Sequence, residues 1–276
     1  MKHLTESQRI ALVSFLVFTW VGMFFFWTHI QAYEQKTQRF ENIKSHSSTD
    51  LTILKLREKF DRCGDFYCLS GAEFIEIYQD KEDVSNVTPQ ELPITSDPDV
   101  DTYIRTFAES LGYQQRGFVS LEELTVFNTL LIRSEVSDAY RSLRNDMSRD
   151  NIDLHLVSSF RSFEHQRLLF LSQLGIEDIS LIPEGVYDQQ LKDVLARSAP
   201  PGYSKHHTGY AVDFACGDEY LVFEFADTEC YQWMSENNFE GVKQYGFIPS
   251  YPEGVEYQGP QPEPWEYVWV GVEMLR

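Results

Sequence analysis

Three separated segments of the sequence carry side chains that could bind a metal ion and move a proton. His206 and Asp213 lie on either side of a glycine turn, and a histidine and an aspartate arranged in this way can converge on one metal ion. Glu263 precedes a Pro-Trp turn, and a carboxylate near a metal-bound water can act as a general base. Arg161 follows a predicted strand, and its planar guanidinium can hold a carboxylate through two hydrogen bonds.

Each of these segments taken alone has an ordinary alternative. Arg161 on its own is better explained as a surface arginine. His206 and Asp213 could equally be a loop histidine and a strand-end aspartate with no common partner, and Glu263 alone is a weak signal. The order in which the segments occur is therefore more informative than any one of them.

Four motifs follow one another along the chain. They are SxxRSxxxQ at Ser158–Gln166, PPGYSxHxxGxAxD at Pro200–Asp213, the stretch Trp233–Pro252 with Asn237 and a Tyr-Gly-Phe, and EPW followed by VG at Glu263–Gly271. Over residues 134–276, this ordered set resembles the VanY-type D-alanyl-D-alanine carboxypeptidases.

The resemblance implies a zinc peptidase that removes D-alanine from peptidoglycan stem peptides. The fold it implies is α+β, with a small antiparallel sheet and flanking helices. By position, it implies zinc ligands at His206 and Asp213, a catalytic base at Glu263, and substrate-binding residues at Arg161, Gln166 and Ser204. Arg161 is expected to act in catalysis as well, by holding the charge that develops on the substrate oxygen.

One departure from the family pattern concerns the third ligand. The family motif reads Glu-Pro-Trp-His, usually with an arginine two positions on, where this chain has Glu266 and Val268. We expect Glu266 to be the third ligand, with His207 as an alternative source of the missing nitrogen. A second carboxylate weakens the Lewis acidity of a metal, so an inactive relative that binds cell-wall peptide or a protein partner is the alternative function. An endopeptidase or an L,D-specific cut also stays open.

Charge and cysteine content narrow the function classes. Lys and Arg number 23 against 43 Asp and Glu, a formal net charge of −20, which disfavours nucleic acid as a partner. Cysteines fall in two close pairs, Cys63 with Cys68 and Cys216 with Cys230. Local disulfides are favoured over a four-thiolate zinc site, because neither pair has the Cys-x-x-Cys spacing of such sites.

The N-terminal part contains an uncharged apolar run at Ile10–Ile30, about the length of a membrane-spanning helix. The run predicts a signal anchor after a cytoplasmic tail at 1–9 and before a polar stalk at 31–50. We therefore expect the protein to cross the cytoplasmic (inner) membrane once, with its catalytic domain at 134–276 on the periplasmic side.

Residues 51–133 are predicted to be mostly helical. The stretches 60–74 and 111–124 each combine a small-residue turn, an apolar-Ser step and a Glu that opens a helix, which resembles an EF-hand pair. The second loop lacks early carboxylate ligands, so a helical packing module without calcium is favoured. Cys63 and Cys68 could close the first loop.

Overall fold

The computed structural model describes residue 31 and residues 48–276, and Thr52–Arg276 form one compact unit. The helices are α1 (residues 48–59), α2 (Gly71–Asp83), α3 (Pro98–Ser110), α4 (Ser134–Arg149), α5 (Phe163–Leu174), α6 (Asp188–Leu195) and α7 (Glu229–Lys243). The strands are β1 (Arg62–Cys63), β2 (Phe66–Tyr67), β3 (Val87–Pro89), β4 (Gly117–Val119), β5 (Leu124–Phe127), β6 (Leu130–Arg133), β7 (Leu154–Ser158), β8 (Ala211–Cys216), β9 (Glu219–Tyr220), β10 (Phe247–Pro249) and β11 (Glu266–Trp269).

The expected location in the cytoplasmic membrane is contradicted by the structure. Within residue 31 and residues 48–276, no helix is long and apolar enough to cross a membrane. The run 10–30, on which that expectation depends, lies outside the described residues. The membrane as a partner is likewise not supported by the described residues, and the bounds of the segment at 10–30 stay a prediction.

The largest sheet lies in the C-terminal half and is antiparallel throughout. Its strand order is β10-β11-β8-β7, and the short β9 pairs with β8. The central strand β8 is buried along its whole length. Its sequence is apolar on both faces apart from Asp213, as expected for a strand that is covered on both sides. The predicted mixture of helices and a small antiparallel sheet is confirmed.

Helix α4 covers this sheet with one apolar side. Val136, Tyr140, Leu143 and Met147 recur at helical spacing and are buried. The ring of Tyr140 stacks on Phe214 of β8 at a centroid distance of 5.9 Å. A second apolar cluster joins α3, α5 and α6, with Ile104, Ala108, Phe170, Leu174, Leu191 and Leu195 as buried members.

The region 51–133 differs from the mostly helical prediction. It contains three two-stranded sheets, β1-β2, β3-β4 and β5-β6, between its helices. The helix expected to open at Glu123 does not form. A 3₁₀ turn at Leu121–Glu123 leads directly into strand β5 instead. The sequence of β5, Leu-Thr-Val-Phe, is rich in β-branched and aromatic residues that favour a strand. Among the described residues, one group of three side chains could hold a metal ion. None of the three comes from the EF-hand-like stretches 60–74 and 111–124.

Both predicted disulfides are present, between Cys63 and Cys68 and between Cys216 and Cys230. The four-thiolate zinc alternative is therefore wrong. The second disulfide ties the end of β8 to the first turn of α7. It therefore braces the chain that follows Asp213.

Candidate metal centre and active site

His206 lies in a short 3₁₀ helix, Lys205–Thr208, whose start and end both have local causes. The Ser204 hydroxyl accepts a hydrogen bond from the His206 N–H at 3.4 Å, which caps the helix. Gly209 ends it at φ +74°, a left-handed conformation that glycine adopts without strain. The buried His206 ring donates from Nδ1 to the Ser159 carbonyl at 2.6 Å. This bond leaves Nε2 as the nitrogen that could bind a metal ion.

Asp213 and Glu266 face His206 because they are paired across two neighbouring strands. Asp213 of β8 lies directly opposite Glu266 of β11 in the antiparallel register, so both carboxylates lie on one face of the sheet. His206 Nε2 is 3.4 Å from Asp213 Oδ2 and 3.3 Å from Glu266 Oε2. All three side chains are buried, and their ligand atoms lie within 4.8 Å of one another.

The electrostatics of this triad fit a cation. Burial alone would lower the pKa of His206, but the Asp213 carboxylate overrides burial and raises that pKa to about 9. A protonated imidazole thus partly offsets two buried carboxylates. Asp213 Oδ1 is buried with no hydrogen-bond partner, and one imidazole with two carboxylates is a donor set that suits zinc.

Glu263 is brought to the triad by a turn. The Glu266 N–H donates to the Glu263 carbonyl at 3.1 Å, and Pro264 and Trp265 occupy the central positions. Burial raises the pKa of Glu263 well above its usual range, and repulsion from Glu266 and Asp213 adds to this rise. The Pro-Trp turn expected after Glu263 is therefore present, and it brings both glutamates to one cleft.

Arg161 is held at the edge of the same group. Its guanidinium donates to Gln166 Oε1 at 2.8 Å and to Ser158 Oγ at 3.1 Å, and it lies 3.5 Å from Asp213 Oδ2. Gln166 is fully buried and donates to the Ala199 carbonyl at 2.7 Å. Gln166 therefore orients Arg161, and its amide nitrogen is occupied by the protein backbone.

A cleft of about 320 Å³ opens over these groups. Its lining includes Arg161, Ser204, His206, Asp213, Glu263 and Glu266. Of the site residues expected from the sequence, Gln166 alone is absent from the lining. The cleft therefore brings the Glu263 carboxyl, the Arg161 guanidinium and a metal-capable triad to one space.

A family profile described as VanY, D-alanyl-D-alanine carboxypeptidase, matches residues 129–272, a little over half of the chain. The chain belongs to the VanY family.

Relatives support the same family. A D-alanyl-D-alanine carboxypeptidase of Enterococcus faecalis (strain ATCC 700802 / V583) is 28% identical over 157 residues, covering 56% of this chain and 53% of that protein. The chain spans about half the length of the curated relatives it matches.

Two solved structures are also similar over part of the chain. The vancomycin-resistance D,D-pentapeptidase VanY in complex with Zn(II) is 24% identical, covers 58% of this chain and 87% of that one, and has a TM-score of 0.45. VanYB in complex with D-alanine-D-alanine is 27% identical, covers 55% and 78%, and has a TM-score of 0.44. These scores are too low to carry residue roles across.

His207 does not supply the nitrogen that the VanY motif lacks here. Its Nδ1 donates to the Arg161 carbonyl at 2.6 Å, and its Nε2 accepts from the Gly202 N–H at 3.1 Å. The ring stacks on Phe118 at 4.3 Å. Both ring nitrogens are used in these contacts, so His207 braces the backbone of Arg161.

Two residues beside the VanY-type triad escaped the sequence analysis. Lys205 is buried next to His206, and Ser250 bonds Glu266 Oε1 through its hydroxyl at 2.5 Å. Burial lowers the pKa of Lys205 to about 7, with Arg116 acting in the same direction and Glu266 opposing it. Both residues lie inside motifs named above, at Pro200–Asp213 and Trp233–Pro252, but the motifs give neither a role, because their proximity depends on the packing of distant segments.

Proposed function

We propose that this chain is a zinc-dependent D-alanyl-D-alanine carboxypeptidase that acts on peptidoglycan stem peptides. The observation that supports it most strongly is the convergence of His206, Asp213 and Glu266 beneath a cleft that Glu263 and Arg161 also line. Membership of the VanY family supports the substrate class.

His206, Asp213 and Glu266 would hold the zinc ion. When bound, zinc polarises a carbonyl and lowers the pKa of a water ligand from 15.7 towards about 7. The unpartnered Asp213 Oδ1 suits this role, and so does His206 Nε2 once the imidazole is neutral, because Nδ1 already donates to the Ser159 carbonyl. A cation here would also relieve the repulsion that raises the pKa of Glu263, and so return this carboxyl to the ionised form that a base needs.

Glu263 would act as the proton carrier of the reaction. Its carboxylate takes a proton from the attacking water as the new C–O bond forms at the D-alanyl carbonyl. The same proton then passes to the leaving amine as the C–N bond breaks, so the carboxylate is regenerated.

Arg161 would supply the fixed positive charge. Gln166 and Ser158 hold its guanidinium in one orientation at the cleft. A pre-oriented cation can stabilise the negative charge that develops on the carbonyl oxygen without reorganising at the moment of reaction.

The second candidate function is an inactive relative that binds cell-wall peptide. Glu266 favours it, because a second carboxylate adds negative charge to the ligand set and reduces the acidity of a metal-bound water. The retained Glu263 favours the enzyme, since a binding module has no use for a general base.

Zinc content and D-alanine release distinguish the two functions. We expect about one zinc per purified chain by elemental analysis, loss of zinc in Glu266→Ala, and release of D-alanine from a peptide ending in D-Ala-D-Ala. Glu263→Gln should keep zinc but lose about 10²–10⁴-fold in turnover. Glu253→Gln, at an exposed carboxylate, is the matched control and should behave like the parent. A parent without metal, together with a Glu266→His variant that gains both zinc and activity, would identify the natural protein as the inactive relative.

A further inference from the structure

Lys205 is a buried cation whose amine is directed at the segment beside Glu266. Its Nζ donates to the Ser250 carbonyl at 2.6 Å and to the Ser250 hydroxyl at 3.0 Å. The amine lies 3.7 Å from the centre of the Tyr251 ring and 5.2 Å from that of Tyr78. Aromatic faces and backbone oxygen thus surround a charge that is 3% exposed.

Ser250 connects this cation to the proposed third ligand. Its hydroxyl accepts from Lys205 and donates to Glu266 Oε1 at 2.5 Å. The other carboxylate oxygen of Glu266, Oε2, is the one that lies 3.3 Å from His206 Nε2. One oxygen is therefore fixed by the protein, while the other faces the triad.

Glu266 and Glu263 act on Lys205 from the proposed site, and the other two charged groups around it are paired with each other. Arg116 and Glu82 form a buried ion pair at 2.8 Å, and the Arg116 guanidinium lies over the Tyr78 ring. Glu266, in contrast, has no direct partner among lysines and arginines within the described ion pairs. The connection through Ser250 is thus its link to a lysine side chain, in addition to the direct contact with His206.

We propose that Lys205, acting through Ser250, is a positioning residue that holds Glu266 as a metal ligand and offsets its charge. The inference rests on the proposed zinc site. A carboxylate in place of the family's histidine brings one additional negative charge and a side chain that can rotate about its last bond. Fixing one oxygen removes that rotation, and a buried ammonium two hydrogen bonds away compensates the charge.

Whether Lys205 compensates the negative charge of Glu266 can be measured in the absence of metal. Thermal unfolding in a chelator is compared for the parent, Lys205→Met, Glu266→Gln and the double variant. We expect Lys205→Met to lower the Tm and Glu266→Gln, a neutral isostere, to restore a large part of that loss, because the carboxylate then no longer needs a cation.

Lys243→Met is the matched control. Lys243 is as deeply buried, but its amine donates to the Tyr67 carbonyl and to Asn238, away from the triad. Lys243→Met should lower the Tm by the same amount in the parent and in the Glu266→Gln variant. If Lys205→Met also costs the same in both backgrounds, Lys205 does not compensate Glu266 and the inference is overturned.

The positioning role is tested by zinc affinity in variants that keep Lys205. We expect Ser250→Ala to weaken zinc binding by about tenfold or more in competition with a chelating dye, and Ser250→Thr, which keeps a hydroxyl, to bind close to the parent. A parent that binds zinc and a Ser250→Ala variant of equal affinity would refute the positioning role while leaving the proposed function intact. A parent that binds no zinc would remove the proposed function, and the metal-free comparison would then decide alone whether Lys205 compensates Glu266.

Discussion

At the scale of single residues, the site depends on side chains whose orientation is fixed by other side chains. Arg161 shows this most clearly, because two of its donors are already occupied by Gln166 and Ser158. Its side chain is 16% exposed and lines the cleft, so it would need little rearrangement to meet a substrate oxygen. Such an arrangement predicts a large effect on turnover and a small effect on folding.

Arg161→Ala should lower kcat/KM for a D-Ala-D-Ala peptide by about 10²–10³-fold while the Tm changes little, since the residue is proposed to hold charge. Arg161→Lys should recover only part of the rate, because an ammonium lacks the planar fork. Arg167→Ala, which removes a partly exposed arginine paired with Glu164, is the control and should leave kcat/KM unchanged. Cleavage by Arg161→Ala at the parent's rate would mean that this residue has no catalytic role.

At the scale of elements, the site is held by the ends of strands and by the loops that follow them. Strand β8 carries Asp213, and its last residue, Cys216, is covalently tied to Cys230 of α7. The loop that leads to Glu263 packs on the end of α3, where the Gly259 N–H donates to the Leu111 carbonyl at 3.1 Å. Both connections set the position of groups several residues away.

Removing the second disulfide by the double change Cys216→Ala and Cys230→Ala should lower the free energy of unfolding by about 3 kcal/mol, from the entropy of the loop that it closes. The Cys63–Cys68 disulfide closes a shorter loop, and the same double change there should cost about 2 kcal/mol. Denaturant unfolding of both variants measures the difference. If the two double variants lose the same free energy of unfolding, or if the Cys63–Cys68 variant loses more, the loop-entropy explanation is wrong.

Gly112→Ala should destabilise the fold and disturb the loop before Glu263. A Cβ at Gly112 would lie 1.6 Å from the Tyr257 carbonyl oxygen, and the residue has φ +94°. We expect a loss of at least about 2 kcal/mol, from overpacking and left-handed strain together. Gly254→Ala is the control in the same loop, because Gly254 has φ +78° with nothing within 4 Å, and it should lose only about 1 kcal/mol. Equal losses in denaturant unfolding would show that the contact with Tyr257 has no energetic weight.

At the scale of the whole molecule, residues 52–133 share one compact unit with the VanY-type part. The Tyr78 hydroxyl lies 3.2 Å from the Thr208 hydroxyl in the 3₁₀ helix of His206. The Tyr113 hydroxyl donates to the Leu195 carbonyl at 2.6 Å. Leu56, Phe74 and Ile77 also belong to the main apolar cluster. Whether residues 51–133 form a domain of their own stays a prediction, but these contacts tie them to the site.

A fragment of residues 134–276 should therefore fold poorly, while residues 52–276 should unfold cooperatively. Removal of the first part would expose apolar side chains and remove the contact of the buried Thr208 hydroxyl with Tyr78. Far-ultraviolet circular dichroism during denaturant unfolding compares the two fragments. A cooperative transition of the short fragment at the same midpoint would show that residues 52–133 do not support the fold.

Much of the site could be predicted from the sequence because its motifs are short and local. The glycine turn between His206 and Asp213, the bend at Pro264 and the two close cysteine pairs each depend on a few neighbouring residues. The family pattern then supplied the order in which these pieces come together, and with it the antiparallel sheet. The spacing of neighbouring residues was therefore sufficient to predict those parts of the site whose geometry depends on a turn alone.

Tertiary structure alone decided which side chains meet across long distances. His207 was a reasonable ligand by spacing, yet packing against Phe118 and Gly202 turns it away from the triad. Lys205 and Ser250 are 45 residues apart in sequence, and only the packing of their segments brings them into contact. In β5, the strand formed where a glutamate suggested a helix, since pairing with β6 outweighs a weak local preference. Burial and pairing are properties of the assembled core, so these features became visible only after the elements had packed.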